Sequence, residues 1–359
     1  MSIRTPHSPV VHQTIVLAAM VILLAGALFT GCRRQPRPAE IQWPAMGTFA
    51  SVSVPESDRK HLQATADITR NIFETIEAQV STFRTNSEFA QLNREAGQEP
   101  VPVSTATRDI LVLALAAGDL SGGGFDITAG PLVRFWGFNG GTVPETLPSD
   151  SALQSVRALV GYHDLQVEGN KARLARSGMR VDGGGIAKGY AVDVAYQQAA
   201  TSGIAHVMIN LGGNLRCRGY GRANQPWRIG VRNPFDRSRT IGTLELTGGK
   251  AVATSGNYER FVKIDGRRYA HIVDPRSGYP VQGMAGVTVI ANSAALADVM
   301  STTLFVAGLE GSPEILRRVP GCEAILIPDR EPMEIYVTSG IKAHFTPEPR
   351  YADNIKPLK

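Results

Sequence analysis

A series of short β-like runs in the second half of the chain constrains its fold more than any other feature. Each run is rich in aliphatic or β-branched residues and is bounded by turn-forming residues, as in strands joined by tight turns. The runs cover residues 205–211, 227–231, 242–246, 268–273, 286–290 and 324–327. They predict a substantial antiparallel sheet.

The first half carries a different periodicity. Ser57 is a candidate N-cap for a helix whose apolar face extends from Leu62 to Val80. A second helix is predicted to begin near Ser104 and to end at the glycines from Gly122. A glycine- and proline-rich stretch at residues 137–148 then precedes the β-rich section and is a candidate boundary between two lobes. Helices followed by strands indicate a mixed α+β fold, with two closely packed lobes and largely antiparallel sheets flanked by helices.

Charge gives little support to nucleic-acid binding. The 359 residues carry a net charge of +5, and 43% of them are hydrophobic, an ordinary globular composition. Four of the basic residues flank the N-terminal apolar run, so the rest of the chain is only slightly basic: Arg4, Arg33, Arg34 and Arg37. We therefore expect no nucleic-acid partner.

Residues 1–31 have the pattern of an export signal. Arg4 precedes an apolar run from Thr14 to Phe29, and Phe29-Thr30-Gly31-Cys32 resembles a bacterial lipobox. Cleavage before Cys32 would make this cysteine a lipid-bearing N-terminus. The alternative is an uncleaved signal anchor, whose apolar stretch would be short for a bilayer core of about 30 Å. Either alternative predicts an exported protein held on a bacterial membrane and facing the periplasm.

The remaining boundaries follow from composition. Residues 32–42 are rich in Arg, Pro and Gln and are predicted to be a tether, residues 43–345 the folded domain, and residues 346–359 a tail. Cys217 and Cys322 either form one disulfide or stay reduced and buried. Without a CxxC spacing, a zinc or iron–sulfur site is not indicated.

The segment RVDGGGIAKGYAVD, residues 180–193, is the first chemistry-bearing motif. A strand is predicted to end at Asp182, three glycines follow, and Lys188 lies just inside a helix. Backbone N–H groups at a helix N-terminus attract anions, so the segment is typical of a phosphate cradle. The P-loop is excluded because Lys188 is followed by Gly189 and Tyr190, and the spacing GxGxxG fails at Lys188.

Asp298 and Thr302 lie four residues apart in a predicted helix that ends near Gly308, and hence on one helix face. A carboxylate and a hydroxyl are hard oxygen ligands suited to Mg²⁺, which fills its octahedron with water and substrate phosphate. The alternative is structural: Thr302 would bond back to the carbonyl of residue 298, and Asp298 would cap a turn.

Two further segments carry candidate site residues. His271 lies in a predicted strand before a turn made by Asp274, Pro275, Ser277 and Gly278, and its imidazole can accept or donate a proton near neutral pH. Phe125 and Asp126 follow a glycine run that ends at Gly124, and an aromatic ring beside a carboxylate suits a heteroaromatic ligand. In each segment the alternative is structural, a satisfied histidine in a strand or an aspartate that caps a turn.

Assembled in order, these segments resemble the ApbE family of FAD:protein FMN transferases. The resemblance covers nearly everything between residues 43 and 310. It rests on Met46-Gly47-Thr48, SxFRxxSExxxLN at Ser81 to Asn93, GGFDITAGPL, DGGGIAKGYAVD, INLGGN at Ile209 to Asn214, ATSGNYER, HIVDPRSGYP, and Ala297 to Thr302.

The resemblance implies that FAD is the donor substrate, that Mg²⁺ is required, and that a nucleotide site lies in the cleft between the lobes. A threonine hydroxyl on an exported acceptor, such as a membrane redox-complex subunit, would take FMN and release AMP. His271 is the candidate that helps to deprotonate this hydroxyl, and activation by the metal alone is the alternative. By motif position, the metal ligands are the Gly185 carbonyl, Asp298 and Thr302. The flavin-nucleotide contacts are Met46, Phe83, Gly124, Phe125, Asp126, Asp182, Lys188, His271 and Ile272.

Two positions depart from the family pattern. Phe83 stands where many members have Tyr, which removes one hydroxyl, and Gly183 replaces a common Leu. Two other activities are compatible with the same motifs: an FAD pyrophosphatase, with water as the nucleophile, and a lipid-anchored flavin-binding protein without turnover. Retention of Asp298 and Thr302 argues against the last, because a pure binder does not need a magnesium site.

Overall fold

The computed structural model describes residues 37–222 and 224–359. The strands are β1 Ala39–Ala45, β2 Thr48–Val54, β3 Val101–Pro102, β4 Leu165–Glu168, β5 Lys171–Leu174, β6 Val207–Leu211, β7 Asn214–Arg218, β8 Trp227–Arg232, β9 Thr240–Leu246, β10 Ala251–Gly256, β11 Phe261–Ile264, β12 Arg267–Ala270, β13 Met284–Ala291, β14 Glu323–Pro328, β15 Ile335–Val337, β16 Phe345–Pro347 and β17 Ile355–Pro357. The α-helices are α1 Leu62–Val80, α2 Glu88–Arg94, α3 Thr105–Ser121, α4 Gly130–Phe135, α5 Asp150–Arg157, α6 Ala187–Thr201 and α7 Ala294–Arg317. The predicted signal peptide and Cys32 lie outside the described residues.

A nine-stranded sheet in the order β1-β2-β6-β7-β10-β13-β14-β15-β17 forms the centre of the fold. Every neighbouring pair in it is antiparallel except β15 and β17, which are parallel. Two three-stranded sheets, β16-β9-β8 and β3-β5-β4, and the hairpin β11-β12 accompany it. The mixed α+β class with largely antiparallel sheets is confirmed.

Alternate residues of the central strands enter two different cores. In β14, Ala324 and Leu326 belong to the cluster formed with α1, α6 and α7, whereas Ile325 and Ile327 belong to the cluster formed with β8 and β9. Successive side chains of a strand point to opposite faces, so the central sheet is covered by helices on one face and by a small sheet on the other. Burial on both faces explains why β13 is apolar along its length except at Thr288.

Contacts join Pro38–Lys359 into one compact unit. The stretch at residues 137–148 does not divide it, because β1 and β2 from the front section pair through β6 into the central sheet. A third apolar cluster joins α4 and α5 to the hairpin β11-β12, where Trp136 Nε1 donates to the Gly278 carbonyl at 2.8 Å. These contacts hold the parts of the chain before and after residues 137–148 together, and the site described below contains residues from both parts.

Both predicted domain ends need correction. β1 begins at Ala39 and pairs along its whole length with β2, so residues 39–42 belong to the domain and not to a tether. Residues 346–359 are not a loose tail, since β16 pairs with β9 and β17 pairs with β15. β16 and β17 have three residues each, too few to display the two-residue period of a strand in sequence. They form strands because they pair with β9 and β15.

The helix predictions had mixed outcomes. Ser104 caps α3 as expected, its Oγ accepting from Thr107 N at 3.2 Å, and the helix ends at Gly122 with φ 58°. Ser57 does not cap α1, because a 3-10 helix, Glu56–His61, precedes it. Gly308, at φ 67°, breaks α7 as predicted, but helical structure resumes beyond it to Arg317.

α7 is the one helix of the described chain that is long and apolar enough to span a membrane. It packs against β10 and β13 as the central core helix, which accounts for its composition. Cys217 and Cys322 are free and buried, and they belong to the two different cores. Burial raises the pKa of the Cys322 thiol to about 11. Of the two alternatives for this pair, the reduced and buried one describes the structure.

Candidate active site

The glycine loop before α6 is held by its own carboxylate. Asp182 lies beyond an isolated bridge at Arg180 rather than at the end of a longer strand. Its Oδ1 accepts from Gly184 N at 2.8 Å, and its Oδ2 accepts from Asn139 Nδ2. In the first turn of α6, Lys188 Nζ donates to the Gly184 carbonyl at 2.6 Å. A short loop with both ends tied presents its remaining backbone groups in a fixed arrangement.

Gly189 has a packing role that its place after Lys188 does not suggest. A β-carbon at this position would come within 2.3 Å of the Ala294 carbonyl oxygen, so only glycine lets α6 approach the start of α7 this closely. At this approach, Gly189 N donates to Asp298 Oδ2 at 3.0 Å. Gly189, the residue after Lys188, therefore serves helix packing and the orientation of the Asp298 carboxylate.

Asp193, the last residue of the same segment, fixes the start of α7. Its Oδ1 accepts from Arg216 Nη1 at 2.7 Å and from Ala294 N at 2.8 Å, and its Oδ2 accepts from Ala295 N at 2.9 Å. These bonds satisfy two N–H groups that have no partner within the helix. The segment 180–193 thus sets the position of the helix that carries Asp298 and Thr302.

Asp298 and Thr302 lie on the inner side of α7, next to the glycine loop. The helix back-bond considered for Thr302 is made instead by Ser301, whose Oγ donates to the Asp298 carbonyl at 2.9 Å. Thr302 Oγ1 lies 3.4 Å from Ser255 Oγ, and a β-carbon on Gly185 would lie 3.1 Å from Thr302 Oγ1. Gly185 and Thr302 therefore lie in contact, and Asp298 lies one turn earlier on the same face of α7, bonded to Gly189.

This donor set fits magnesium better than zinc or iron. The described residues contain no group of three or more His, Cys, Asp and Glu that could hold a metal. A carboxylate, a hydroxyl and a carbonyl are hard oxygen donors, and Mg²⁺ in nucleotide sites commonly uses one or two carboxylates with water and phosphate. Burial is the main cause that raises the pKa of Asp298, against the lowering effects of Lys188 and the Gly189 N–H. A buried carboxylate of this kind is stabilised by a bound cation.

His271 is the first residue after β12 rather than a residue within the strand. The backbone N–H of His271 donates to the Arg260 carbonyl at 3.1 Å, and the ring nitrogen Nδ1 lies 3.2 Å from the same oxygen. Because a carbonyl only accepts, Nδ1 is assigned the proton, and Nε2 is left as the free base. Burial, helped by the positive charges of Lys188 and Arg260, lowers the pKa of His271 to about 4. The imidazole is therefore neutral at neutral pH and able to accept a proton.

Asp126 holds its own loop. Its Oδ1 accepts from Thr128 N and Thr128 Oγ1, both at 2.7 Å, and its Oδ2 accepts from Tyr162 N at 2.9 Å. The turn-capping alternative thus describes its contacts, although burial raises the pKa of the carboxyl above its usual range. Phe125 is 5% exposed and packs at the loop's inner side.

Two adjoining cavities collect all the predicted metal ligands and flavin-nucleotide contacts. The larger, about 560 Å³, is within the usual size of small-molecule sites and is lined among others by Met46, Phe83, Asp182, Lys188, His271 and Asp298. The smaller, about 180 Å³, is lined among others by Gly124, Phe125, Asp126, Asp182, Gly185, His271, Ile272 and Thr302. Asp182 and His271 belong to both walls. The location agrees with a shared site, while the role of each residue stays a prediction.

Three residues that line both cavities were missed by sequence reasoning: Asn139, Ser255 and Arg260. Asn139 adopts φ 49°, and a non-glycine residue in that region is a known mark of functional loops. Its place between glycines was the available signal. Ser255 and Arg260 lie in the quoted motif ATSGNYER, but the motif alone does not say which side chains face the site.

Comparison with known proteins agrees with this geometry. The model of the ApbE family matches residues 46–326. The chain belongs to the ApbE family. Its curated relatives include the FAD:protein FMN transferase of Vibrio cholerae, 34% identical over 296 residues that cover 81% of this chain and 88% of that protein. The FAD:protein FMN transferase of Escherichia coli K12 is 32% identical over 312 residues, covering 83% of this chain and 89% of that protein.

Solved structures of family members share the fold. The flavin transferase ApbE from Vibrio cholerae aligns with a TM-score of 0.75 at 31% identity, covering 86% of this chain and 99% of that one. The ApbE protein from Thermotoga maritima aligns with a TM-score of 0.78 at 30% identity and the same coverage, 86% and 99%. The ApbE-like architecture therefore extends over nearly the whole described body of this chain.

Proposed function

We propose that this protein is a Mg²⁺-dependent FAD:protein FMN transferase that moves FMN from FAD to a threonine hydroxyl of an acceptor protein and releases AMP. The observation that carries the proposal is the grouping of Asp298, Thr302 and the Gly185 backbone beside a neutral His271 on the walls of adjoining cavities. Membership of a family whose curated relatives are named FAD:protein FMN transferase supports the same activity.

The reaction exchanges the phosphoanhydride bond of the FAD diphosphate for a phosphoester bond to threonine. The threonine oxygen forms a bond to the phosphorus of the FMN half as the bridging P–O bond breaks, and that bonding pair leaves with AMP. His271 takes the hydroxyl proton on Nε2 and later returns it to solvent, a role that its lowered pKa allows at neutral pH.

The remaining groups serve charge and position. Lys188, tied to the Gly184 carbonyl, offers its other ammonium N–H groups to the diphosphate. Gly185, Asp298 and Thr302 would hold magnesium, which when bound neutralises charge on the diphosphate oxygens as the bond breaks. Asp182 holds the glycine loop in the conformation that serves both diphosphate binding and metal binding.

A transfer assay tests this proposal. The protein is incubated with FAD, Mg²⁺ and an acceptor domain that carries the target threonine, and acceptor-bound flavin and free AMP are measured. We expect both products from the wild type, and neither from Asp298→Asn or in the presence of a chelator. Glu310→Gln is the matched control, an exposed carboxylate on the same helix α7. AMP with unmodified acceptor identifies an FAD pyrophosphatase, and tight FAD retention with no product identifies a flavin-binding protein.

We further propose that the protein is exported and held by a lipid on Cys32, and that its acceptors are periplasm-facing subunits of membrane redox complexes. The apolar run and the small residues before Cys32 support this location. Cys32→Ala is expected to abolish incorporation of labelled fatty acid and to leave a longer, unprocessed chain. Fatty-acid incorporation that persists in Cys32→Ala contradicts the anchor site.

A further inference from the structure

Arg260 lies where the two cavities meet and lines both of them. It precedes β11, and its side chain is exposed to the cleft. One guanidinium nitrogen, Nη2, donates to the Gly47 carbonyl at 3.3 Å, in the turn between β1 and β2 that also carries Met46. An arginine has five N–H donors, so most of this fork is free to bind a ligand.

Few basic side chains around the cavities lack a carboxylate partner and so remain available to bind an anionic ligand. Arg84 is paired with Glu77 at 3.1 Å, and Glu259 is paired with Arg232 at 3.5 Å. Within residues 37–222 and 224–359, neither Lys188 nor Arg260 has a carboxylate within salt-bridge distance. Two unpaired cations on a cavity wall are matched in sign and number to a ligand with two phosphate charges.

We propose that Arg260 binds the diphosphate bridge of FAD, with its guanidinium fork on the phosphate oxygens at the junction of the two cavities. The inference rests on the proposed function and adds a substrate-binding residue to it. Arginine suits this task because its planar fork binds phosphate through two parallel hydrogen bonds.

The same residue couples substrate binding to the base. The Arg260 carbonyl is the acceptor that fixes the tautomer of His271, while its side chain reaches the cavities from the same backbone position. A diphosphate held by the guanidinium would therefore lie on the cavity wall that His271 also lines. Substitution of the side chain leaves the backbone carbonyl in place, so the two roles are separable.

Direct binding of two probes, FAD and riboflavin, tests the inference without turnover. Affinities are measured by flavin fluorescence in the presence of a chelator, for the wild type, Arg260→Gln and Arg260→Lys. Because riboflavin has no phosphate, we expect Arg260→Gln to lose about 10- to 100-fold in FAD affinity, the range for hydrogen bonds to a charged group, and to keep its riboflavin affinity. Arg260→Lys is expected to lie between, since it keeps the charge but not the fork.

Arg268→Gln is the matched control, because Arg268 lies on the neighbouring strand β12, stacks on Phe261 at 4.3 Å and does not line either cavity. It is expected to bind both probes as the wild type does. Undiminished FAD affinity in Arg260→Gln overturns the inference and leaves the proposed function standing. An equal loss for FAD and riboflavin also overturns it, because Arg260 would then act through the Met46 turn. Failure of the wild type to bind FAD overturns the proposed function itself.

Discussion

Asp193 offers the strongest test of how the fold positions the site, because one carboxylate joins three elements. It accepts from Arg216 on β7 and from two backbone N–H groups at the start of α7. The side chains of Asp193 and Arg216 are only 17% and 13% exposed. Replacement by alanine would leave two backbone N–H groups without their acceptor. It would also leave the Arg216 guanidinium without its counter-charge, with only the Gly249 and Asn292 carbonyls as acceptors in a mostly buried place.

The magnitude follows from those contacts. Removing one partner of a buried ion pair costs about 3–5 kcal/mol, and loss of a helix cap alone costs about 1 kcal/mol. Because the Asp193–Arg216 pair is mostly but not fully buried, we expect Asp193→Ala to lower the free energy of unfolding by about 3–4 kcal/mol. Asp193→Asn keeps one acceptor oxygen and is expected to lose about half of that.

Urea unfolding followed by circular dichroism measures the change, with Glu310→Gln as the control that should not differ from the wild type. Mg²⁺ binding, followed by titration calorimetry with FAD present, should weaken in parallel, since α7 loses its fixed start. A loss below about 1 kcal/mol for Asp193→Ala, less than a buried pair predicts, would refute the reasoning.

Three further predictions concern the cavity walls. Burial raises the pKa of Asp298, so its charge destabilises the metal-free fold increasingly as pH rises through that pKa. Without Mg²⁺, Asp298→Asn should therefore be at least as stable as the wild type. With Mg²⁺ at 100 times its dissociation constant, the wild type should gain about 2.7 kcal/mol in free energy of unfolding and the variant should not. A Mg²⁺-induced rise in the Tm of Asp298→Asn contradicts the site. Because the pKa of His271 is lowered to about 4, kcat/KM should stay constant as pH falls from 8 to about 5 and decrease only below that. A decrease in kcat/KM centred near pH about 6.5, the ordinary pKa of histidine, speaks against His271 as a buried base. Asn139→Ala removes a hydrogen bond to Asp182 and should raise KM for FAD about tenfold with little change in kcat, and an unchanged KM shows that Asn139 does not position that carboxylate.

Local sequence patterns predicted the fold class and six strands of the described residues, but not β1, β2, β7 or β10. The six β-like runs correspond to β6, β8, β9, β12, β13 and β14, because each carries several apolar residues between clear turn signals. β16 and β17 were mistaken for a tail, since three-residue strands carry no period and form only through pairing with β9 and β15.

The candidate site could be assembled from motifs but not explained by them. In the sequence Gly189 served only to exclude a P-loop, and only the approach of the Ala294 carbonyl reveals its packing role. Asn139 was missed because its partner, Asp182, lies 43 residues away in sequence. Contacts of this kind depend on tertiary structure, which local propensity does not encode.

The covalent product on the acceptor tests the central claim most directly. Mass spectrometry of an acceptor domain after reaction with FAD and Mg²⁺, with AMP quantified in the same sample, gives the fate of both halves of the substrate. The account predicts an acceptor heavier by one FMN less one water, esterified on threonine, and one AMP for each FMN attached. AMP released together with free FMN, and an acceptor of unchanged mass, would contradict it.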